Sequence, residues 1–412
     1  MQSREGWVMS MLSKRKINDG IMTGITYGSS FISLVVLLSI IIYVFANGIK
    51  LLNWDLVTHN FEAVSYIADL KDGTGPGNFT VDRDFDEGIY YSEKWGVALK
   101  DDTNLLGKNV VVVHYVHPDS PFKELNNKGV GTVDLALTLD YEVIRIAFVD
   151  SASALSVRGS EIMIAILDAN DSFRELEFST TGGGIRGSIV TTLYLIFFTL
   201  VFALPIGVGS AIYLNEYAKN TKFTRLIRSL IETLTGVPSI IYGLMGLAIF
   251  VPLTISLTSA TGGNIISGSM TLAVILMPII IRTTEESLKV VPDDYRYASL
   301  SLGASKTQTT FKVILPNAFA GILTATLLAI GRIIGESAAL VFAIGTAIKD
   351  QVSITDKSTS LAVHIWAMMT DEPANIELST TIAIIILMMV LILNFTIKIL
   401  SKRFMRRYGV KA

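Results

Sequence analysis

The chain has 412 residues, of which 50% are hydrophobic and only 17% charged, against roughly 25% charged in an ordinary soluble domain. Cysteine is absent, which excludes disulfide scaffolds and thiolate metal sites, and the four histidines (His59, His114, His117, His364) are too scattered to suggest zinc. The net charge of -2 conceals a division: residues 51–184 hold 22 Asp+Glu against 10 Lys+Arg, while the remainder holds 14 against 24.

Six apolar stretches are long enough to cross a bilayer, at about 24–48, 186–214, 230–256, 266–284, 317–347 and 378–400. They predict an all-α polytopic membrane protein into which a β-rich domain is inserted. The first stretch lacks a small-residue cleavage site and reads as an anchor after a cytoplasmic segment 1–23. Lys14, Arg15 and Lys16 precede it. Lys219, Lys222, Arg225 and Arg228 follow the second stretch, and Lys402, Arg403, Arg406 and Arg407 follow the sixth, in a tail 401–412. The positive-inside rule then puts both termini in the cytoplasm and the acidic segment 51–184 outside it. That segment contains the runs NVVVVHYV (109–116), VDLALTLDYEVIRIAFVD (133–150) and EIMIAILDA (161–169), which predict strands. DGTGPGNFT (72–80) predicts a loop, and TTGGGIRGS (180–188) a flexible joint into the second span. The insert reads as a packing or docking domain.

The third stretch opens on GVPSIIYGLMG (236–246). Pro238 allows a local break, Gly236 loosens the chain beside it, and Gly243 and Gly246 let another helix approach closely. The stretch is either a hinge or a simple packing helix. Arg282 lies at the cytoplasmic end of the fourth stretch, as a lining of an anion path or as a residue snorkelling to headgroups. Glu285 and Glu286 after it read as a solvated face or as contacts to a partner. The loop 285–316 carries two helix signatures. Pro292 with Asp293 and Asp294 starts one, which Gly303 closes. Ser305 and Gln308 have capping-box spacing for a second, predicted to end near Pro316. The pair forms an elbow, resting on lipid or docking a cytoplasmic partner.

In the fifth stretch, IGRIIGESAAL (330–340), Arg332 and Glu336 share a helix face near the middle of the membrane. Each costs at least ~2.5 kcal/mol there on insertion scales, so they mark either a structural ion pair or an anion pathway. Gly331 and Gly335 form a Gly-x-x-x-Gly step suited to close packing. No Gly-x-x-x-x-Gly-Lys-Ser/Thr segment occurs, so the chain is not expected to hydrolyse ATP, and no side-chain arrangement suggests catalysis, a resident cofactor or nucleic-acid binding.

YASLSLGASKTQTTFKVILP (297–316) resembles the EAA loop of ABC importer permeases, with Ala298, Ser299, Gly303, Val313, Leu315 and Pro316 in the matching positions, Ala304 beside the glycine, and Tyr297 where the family has Glu. LPIGVGSAIYLNEYA (204–218), TGVPSIIYGLMG (235–246), MPIIIRTTEESLKVVPDDYRYASLSLGAS (277–305) and IGRIIGESAAL resemble phosphate-importer permeases of the PstA type. The sister PstC type shares the VPS..YG and GE features, and IIRTTEE favours PstA. The resemblance covers 186–347 densely and the acidic insert not at all. It implies the type I ABC importer (MetI-like) fold in a permease core 186–400, with the elbow as the element coupled to an ATPase. It also implies Arg332, Glu336 and Arg282 along a phosphate pathway in a bacterial or archaeal plasma membrane. The implied partners are a PstC-like permease, a dimer of ATP-binding subunits and an extracytoplasmic phosphate-binding protein. The alternatives are a permease for molybdate or sulfate, or a non-transporting receptor or anchor whose outer domain carries the function.

Overall fold

The computed structural model describes residues 2–82, 84–128, 134–180, 182–370 and 374–407. Val133, Thr181 and the tail beyond 407 lie outside the described residues, as do the side chains of Lys14, Arg15, Lys16, Arg406 and Arg407. In chain order come α1 (Gln2–Gly48) and α2 (Trp54–Thr58), then strands β1 (Ser65–Leu70), β2 (Ile89–Ser92), β3 (Val97–Thr103), β4 (Asn109–Val116), β5 (Leu125–Asn127), β6 (Glu142–Ala147) and β7 (Ala154–Leu155). Helix α3 (Ser160–Asp168) and β8 (Glu175–Ser179) complete the insert. The rest is helical: α4 (Arg186–Ile212), α5 (Lys222–Leu234), α6 (Ser239–Met245), α7 (Val251–Leu257), α8 (Ile265–Val290), α9 (Asp293–Ser301), α10 (Lys306–Thr309), α11 (Leu315–Gly335), α12 (Ala338–Ala343), α13 (Leu361–Thr370) and α14 (Ile376–Arg407).

Among the described residues six helical stretches are long and apolar enough to span a bilayer: 19–48, 186–217, 239–257, 265–290, 306–335 and 376–403. Two of them correct the expected boundaries. The third begins at Ser239, because residues 222–234 form the separate helix α5 and the chain turns at Gly236–Pro238. The fifth ends at Gly335 and begins at Lys306. Its start contradicts the expected end of the second elbow helix near Pro316: α10 runs through a π-helical turn, Thr310–Ile314, directly into α11. In that turn the N–H of Leu315 bonds the carbonyl of Thr310, five residues back. The widened turn shifts the pairing just before Pro316, which has no N–H to give, so the proline does not break the helix. The same device precedes Pro252, where Val251 bonds Gly246.

The insert is an eight-stranded antiparallel sheet, so the label all-α holds for the membrane part only. Its order is β2-β3-β4-β6-β8-β1-β5, with β7 beside β6. β4 is the predicted run 109–116, and its central Val111–Val113 are buried. Among the described residues of that run, 134–150, only 142–147 forms a strand of the sheet ladder, apart from a lone bridge at Leu135. The segment 161–169 is helix rather than strand. Its buried residues Ser160, Met163, Ile164 and Leu167 recur at helical spacing, while Ile162 faces solvent. Asp101 accepts a hydrogen bond from the Ser160 N–H (2.8 Å), satisfying the helix start from another element. α3 closes a core around Trp95, Phe122 and Phe173, and the Trp95 indole donates to the Leu167 carbonyl at 3.0 Å.

The joint 182–185 is packed rather than loose. Its N–H groups at Gly183, Gly184 and Ile185 bond the carbonyls of Phe61, Asn60 and Leu56. A shared apolar cluster (Leu56, Leu105, Ile185, Leu361, Leu378, Ile382) ties the insert to one end of the bundle. Asp350 adds bonds from the N–H groups of Phe61 (2.6 Å) and Glu62 (2.9 Å). Within the bundle α8 is the central helix, packed by α4 and α11 through Leu195, Leu272, Leu276, Ile280, Ile333 and Ile334. α1 packs along α14, and its residues 19–40 are exposed.

Candidate functional site

Arg332 sits in the last turn of α11, where a cation is favoured by the helix dipole. The helix stops there because Glu336 takes an extended backbone (φ -80°, ψ 118°), and α12 resumes two residues later. Glu336 is buried, and its carboxylate accepts from the Ala339 N–H at 3.4 Å, which satisfies one of the orphan donors of α12. The Arg332 guanidinium lies 3.9 Å from the same carboxylate, at the outer limit of an ion pair, and keeps 44% of its side chain exposed. The pair therefore forms as expected, but across a helix break rather than along a continuous face.

The depth of the break follows from packing. A Cβ at Gly321 of α11 would collide with the side chain of Ser287 on α8, so those residues are level. Eleven residues carry α11 from Gly321 to Arg332, about 16 Å at 1.5 Å per residue. The same rise along α8 reaches Leu276, close to the midpoint of that 26-residue helix. Arg332 is thus at mid-bundle. Arg282, six residues from Leu276 toward the elbow, lies about 9 Å away along the axis. It is exposed and engaged by two carboxylates, Glu232 at 3.2 Å and Glu286 at 3.1 Å. The structure does not bring Arg282 together with Arg332 and Glu336. It places Arg282 instead in a cleft of about 230 Å³ between α5 and α8, lined by Arg228, Glu232, Glu285, Glu286 and Lys289.

Glu285 corrects the expectation of a solvated face. It is buried and held by Arg228 and Lys289, each at 2.9 Å, whereas Glu286 is exposed. The glycines divide. A Cβ on Gly243 would come within 2.7 Å of Cα and 2.8 Å of the carbonyl oxygen of Ala339, so α6 and α12 touch backbone to backbone there. Gly331 and Gly335 have open space where a Cβ would project, so the expected close packing on them is not made within this chain. Gly236 also meets nothing closer than 3.5 Å, and its place is in the turn ahead of Pro238, whose extended backbone (ψ 137°) separates α5 from α6.

The elbow is built as the caps predict. α9 starts after Pro292 with Asp293 and Asp294 in its first turn, and Gly303 (φ 85°) supplies the left-handed turn that ends it. Ser305 and Gln308 form the capping box of α10. Ser299 Oγ and Thr309 Oγ1, 2.9 Å apart, hold the two arms together. Ala298 and Gly303 are exposed, Ala304, Leu315 and Pro316 half-buried, and Tyr297 projects outward with Leu300 and Leu302. One residue unmarked by the sequence reading organises the elbow. Arg296 donates to Glu216 at 2.7 Å, to the carbonyls of Val291 (2.8 Å) and Leu288 (3.0 Å), and to Asp293 (3.1 Å). The hydrogen-bonded Glu216 carboxylate raises the Arg296 guanidinium pKa further above its ordinary value. Glu216 ends the second span, so Arg296 fastens the elbow to the second and fourth spans at once. Its i,i+3 spacing from Asp293 was visible in sequence; the carboxylate eighty residues away was not.

Residues 203–409 match the family described as "Binding-protein-dependent transport system inner membrane component". The probable ABC transporter permease protein YqgI of Bacillus subtilis (strain 168) is 38% identical over 202 residues, 46% of this chain and 67% of the relative. The phosphate transport system permease protein PstA of Pasteurella multocida is 33% identical over 222 residues, 53% of this chain and 76% of the relative. The chain spans less of others, down to 37% of the Mycoplasma pneumoniae PstA homolog. Among solved structures, one titled as inward-facing conformations of the MetNI methionine ABC transporter is similar at 23% identity, covering 53% of this chain and 95% of that one with a TM-score of 0.42. The matched region begins in α4 and takes in the elbow, the broken fifth span and the sixth. The chain belongs to the binding-protein-dependent transport system inner membrane component family, as a multi-pass ABC permease subunit of the PstA type.

Proposed function

We propose that the chain is a transmembrane subunit of an ATP-driven importer of inorganic phosphate. The observation that carries this reading is the break of the fifth span at mid-bundle, which leaves a half-exposed guanidinium beside a buried carboxylate. A guanidinium offers paired donors that match two oxygens of a phosphate, and the neighbouring Glu336 keeps the site from holding the anion too tightly. Interrupted spans with charged groups at the break are a recurring way to build a transport site in a membrane. Relatives named as phosphate transport system permeases support phosphate as the cargo.

In this reading a second permease of PstC type lies against the open side of the bundle, where Gly331 and Gly335 are uncovered. One subunit of a dimer of ATP-binding subunits seats the elbow, with Tyr297 and Leu300 entering its groove, and an extracytoplasmic binding protein delivers phosphate. The termini and elbow are cytoplasmic and the insert is outside. Closure of the ATPases moves α9, and Arg296 transmits that movement to the second and fourth spans. The α6–α12 contact at Gly243 then shifts, opening or closing the path at Arg332. Arg282 is the exit-side cation, released when its pairs with Glu232 and Glu286 loosen.

Cargo is tested by radiolabelled phosphate uptake in cells whose only importer uses this chain, with unlabelled sulfate, molybdate and phosphate as competitors. Phosphate alone should compete. Competition by sulfate or molybdate at similar concentration assigns another oxyanion, and uptake unaffected by loss of the chain removes it from transport altogether.

A further inference from the structure

We propose that α5 is an interfacial anchor, laid on an anionic bilayer surface, that fixes one wall of the elbow-side cleft. Its 13 residues divide into three faces at 100° per residue. Ile227 and Ile231 pack against Ala211, Leu214 and Ile281 of the bundle, with buried Thr224 on the same side. Arg225, Ser229 and Glu232 form a polar face. Phe223, Leu226, Leu230 and Leu234 form a third stripe that faces outward: each is between 43% and 70% exposed. A helix with a face left apolar in this way needs a partner.

Two observations commit that partner to lipid. The stripe continues at the next turn of chain into exposed Ile240, Ile241, Leu244 and Leu247, the outward face of the third span, so bilayer covering one covers the other. The border of the stripe is cationic. Lys219, Lys222 and Arg225 are exposed and, among the described residues, none is in an ion pair, whereas Arg228, Arg282, Lys289 and Arg296 at the same end of the bundle are paired. Unpaired Lys and Arg beside a stripe of Phe and Leu is the arrangement that seats a helix at the headgroup–acyl boundary of an anionic leaflet.

The anchoring has a mechanical consequence. α5 is tied to α8 by Arg228–Glu285 (2.9 Å) and Arg282–Glu232 (3.2 Å). α8 leads directly into α9. A lipid-held α5 is therefore a fixed bar against which α8 and the elbow move, and the charge of the leaflet enters the coupling. The inference does not depend on which anion is carried.

The chain has no cysteine, so single-cysteine variants report one position each. A nitroxide is attached at Leu230→Cys or at Arg225→Cys, and the labelled chain is assembled with cysteine-free partner subunits in vesicles of phosphatidylcholine mixed with phosphatidylglycerol, the anionic lipid that gives the surface its negative potential. The label at 230 should be relaxed by oxygen and protected from aqueous nickel chelate, and the label at 225 the reverse. In the Lys222→Gln/Arg225→Gln background, or in phosphatidylcholine alone, protection at 230 should fall several-fold. A label at 230 open to nickel, or shielded from both relaxants by protein, overturns the proposal, and unchanged protection without anionic lipid overturns its electrostatic half. Leu226→Cys, on the same stripe, replaces Leu230→Cys if that variant does not assemble.

Discussion

Single residues in this chain differ by how much freedom their surroundings leave them. Arg332 is half-exposed at a helix break and contacts Glu336 only at 3.9 Å, whereas Arg282 is held by two carboxylates at 3.1 and 3.2 Å. A loosely held cation at mid-bundle is available to an anion; a doubly paired one becomes available only when its partners move. Gly243 has no freedom at all. Replacing it with Val puts new atoms against the Ala339 backbone, an overpacking that typically costs about 1–3 kcal/mol. The expected outcome is a lower melting temperature and loss of uptake, and a variant with unchanged melting would show that α6 and α12 separate freely. Gly335→Ala, in open space within the chain, should leave the isolated subunit's stability unchanged; weaker co-purification with the second permease would place the Gly331–Gly335 face in the subunit interface. His364 is buried in α13 with Ser188 Oγ at 2.9 Å from its Nδ1, and burial lowers its imidazole pKa from 6.5 to about 4. The unfolded chain therefore binds the proton first as pH falls. Stability from this group is complete above pH 6.5 and is lost as the pH falls toward 4, a change of roughly 3 kcal/mol. His364→Gln should flatten the dependence of the melting midpoint on pH across that window, and an unaltered slope would contradict the assignment.

At the scale of elements, sequence and structure agree where local chemistry decides and part where distant contacts do. The caps at Pro292–Asp294, Gly303 and Ser305–Gln308 are local: α9 starts and stops on the first two, and α10 starts on the third. Pro316 reads in sequence as a stop and is carried inside a helix, because a π-helical turn ahead of it rearranges the hydrogen bonds. The strand expected at 161–169 is a helix whose start is set by Gly159 just before it and by the Asp101 carboxylate from a distant strand. Arg296 is the plainest case: an arginine in an amphipathic elbow reads as solvated, yet it is largely buried and bonded to the end of another span. Arg296→Gln should detach the elbow from the second span. ATP hydrolysis of the assembled transporter should persist while uptake falls at least about tenfold, the loss expected if one charged hydrogen bond worth about 1.4 kcal/mol or more supports coupling. Parallel loss of both activities would mean that Arg296 serves assembly instead.

The whole molecule joins a helical core to a sheet domain with its own apolar centre. The sequence showed that two parts exist, through the split of charge between 51–184 and the rest. It did not show how they meet, since the junction is made by single residues from distant segments: Leu56, Leu105, Ile185, Leu361, Leu378 and the Asp350 carboxylate. β1 and β8 pair at Ser65 and Ser179, so the sheet leaves and returns to the core at one place. Replacing residues 66–178 with a short Gly-Ser turn should therefore leave the core assembled and uptake measurable, while loss of function with intact assembly would make the insert the working part. Whether Arg332 lies on the transport path is decided by phosphate uptake in cells whose only copy carries Arg332→Gln, with assembly of all subunits checked in the membrane. Uptake should be abolished with assembly normal. Uptake at the parental level would contradict it and leave Arg332 and Glu336 as a structural pair.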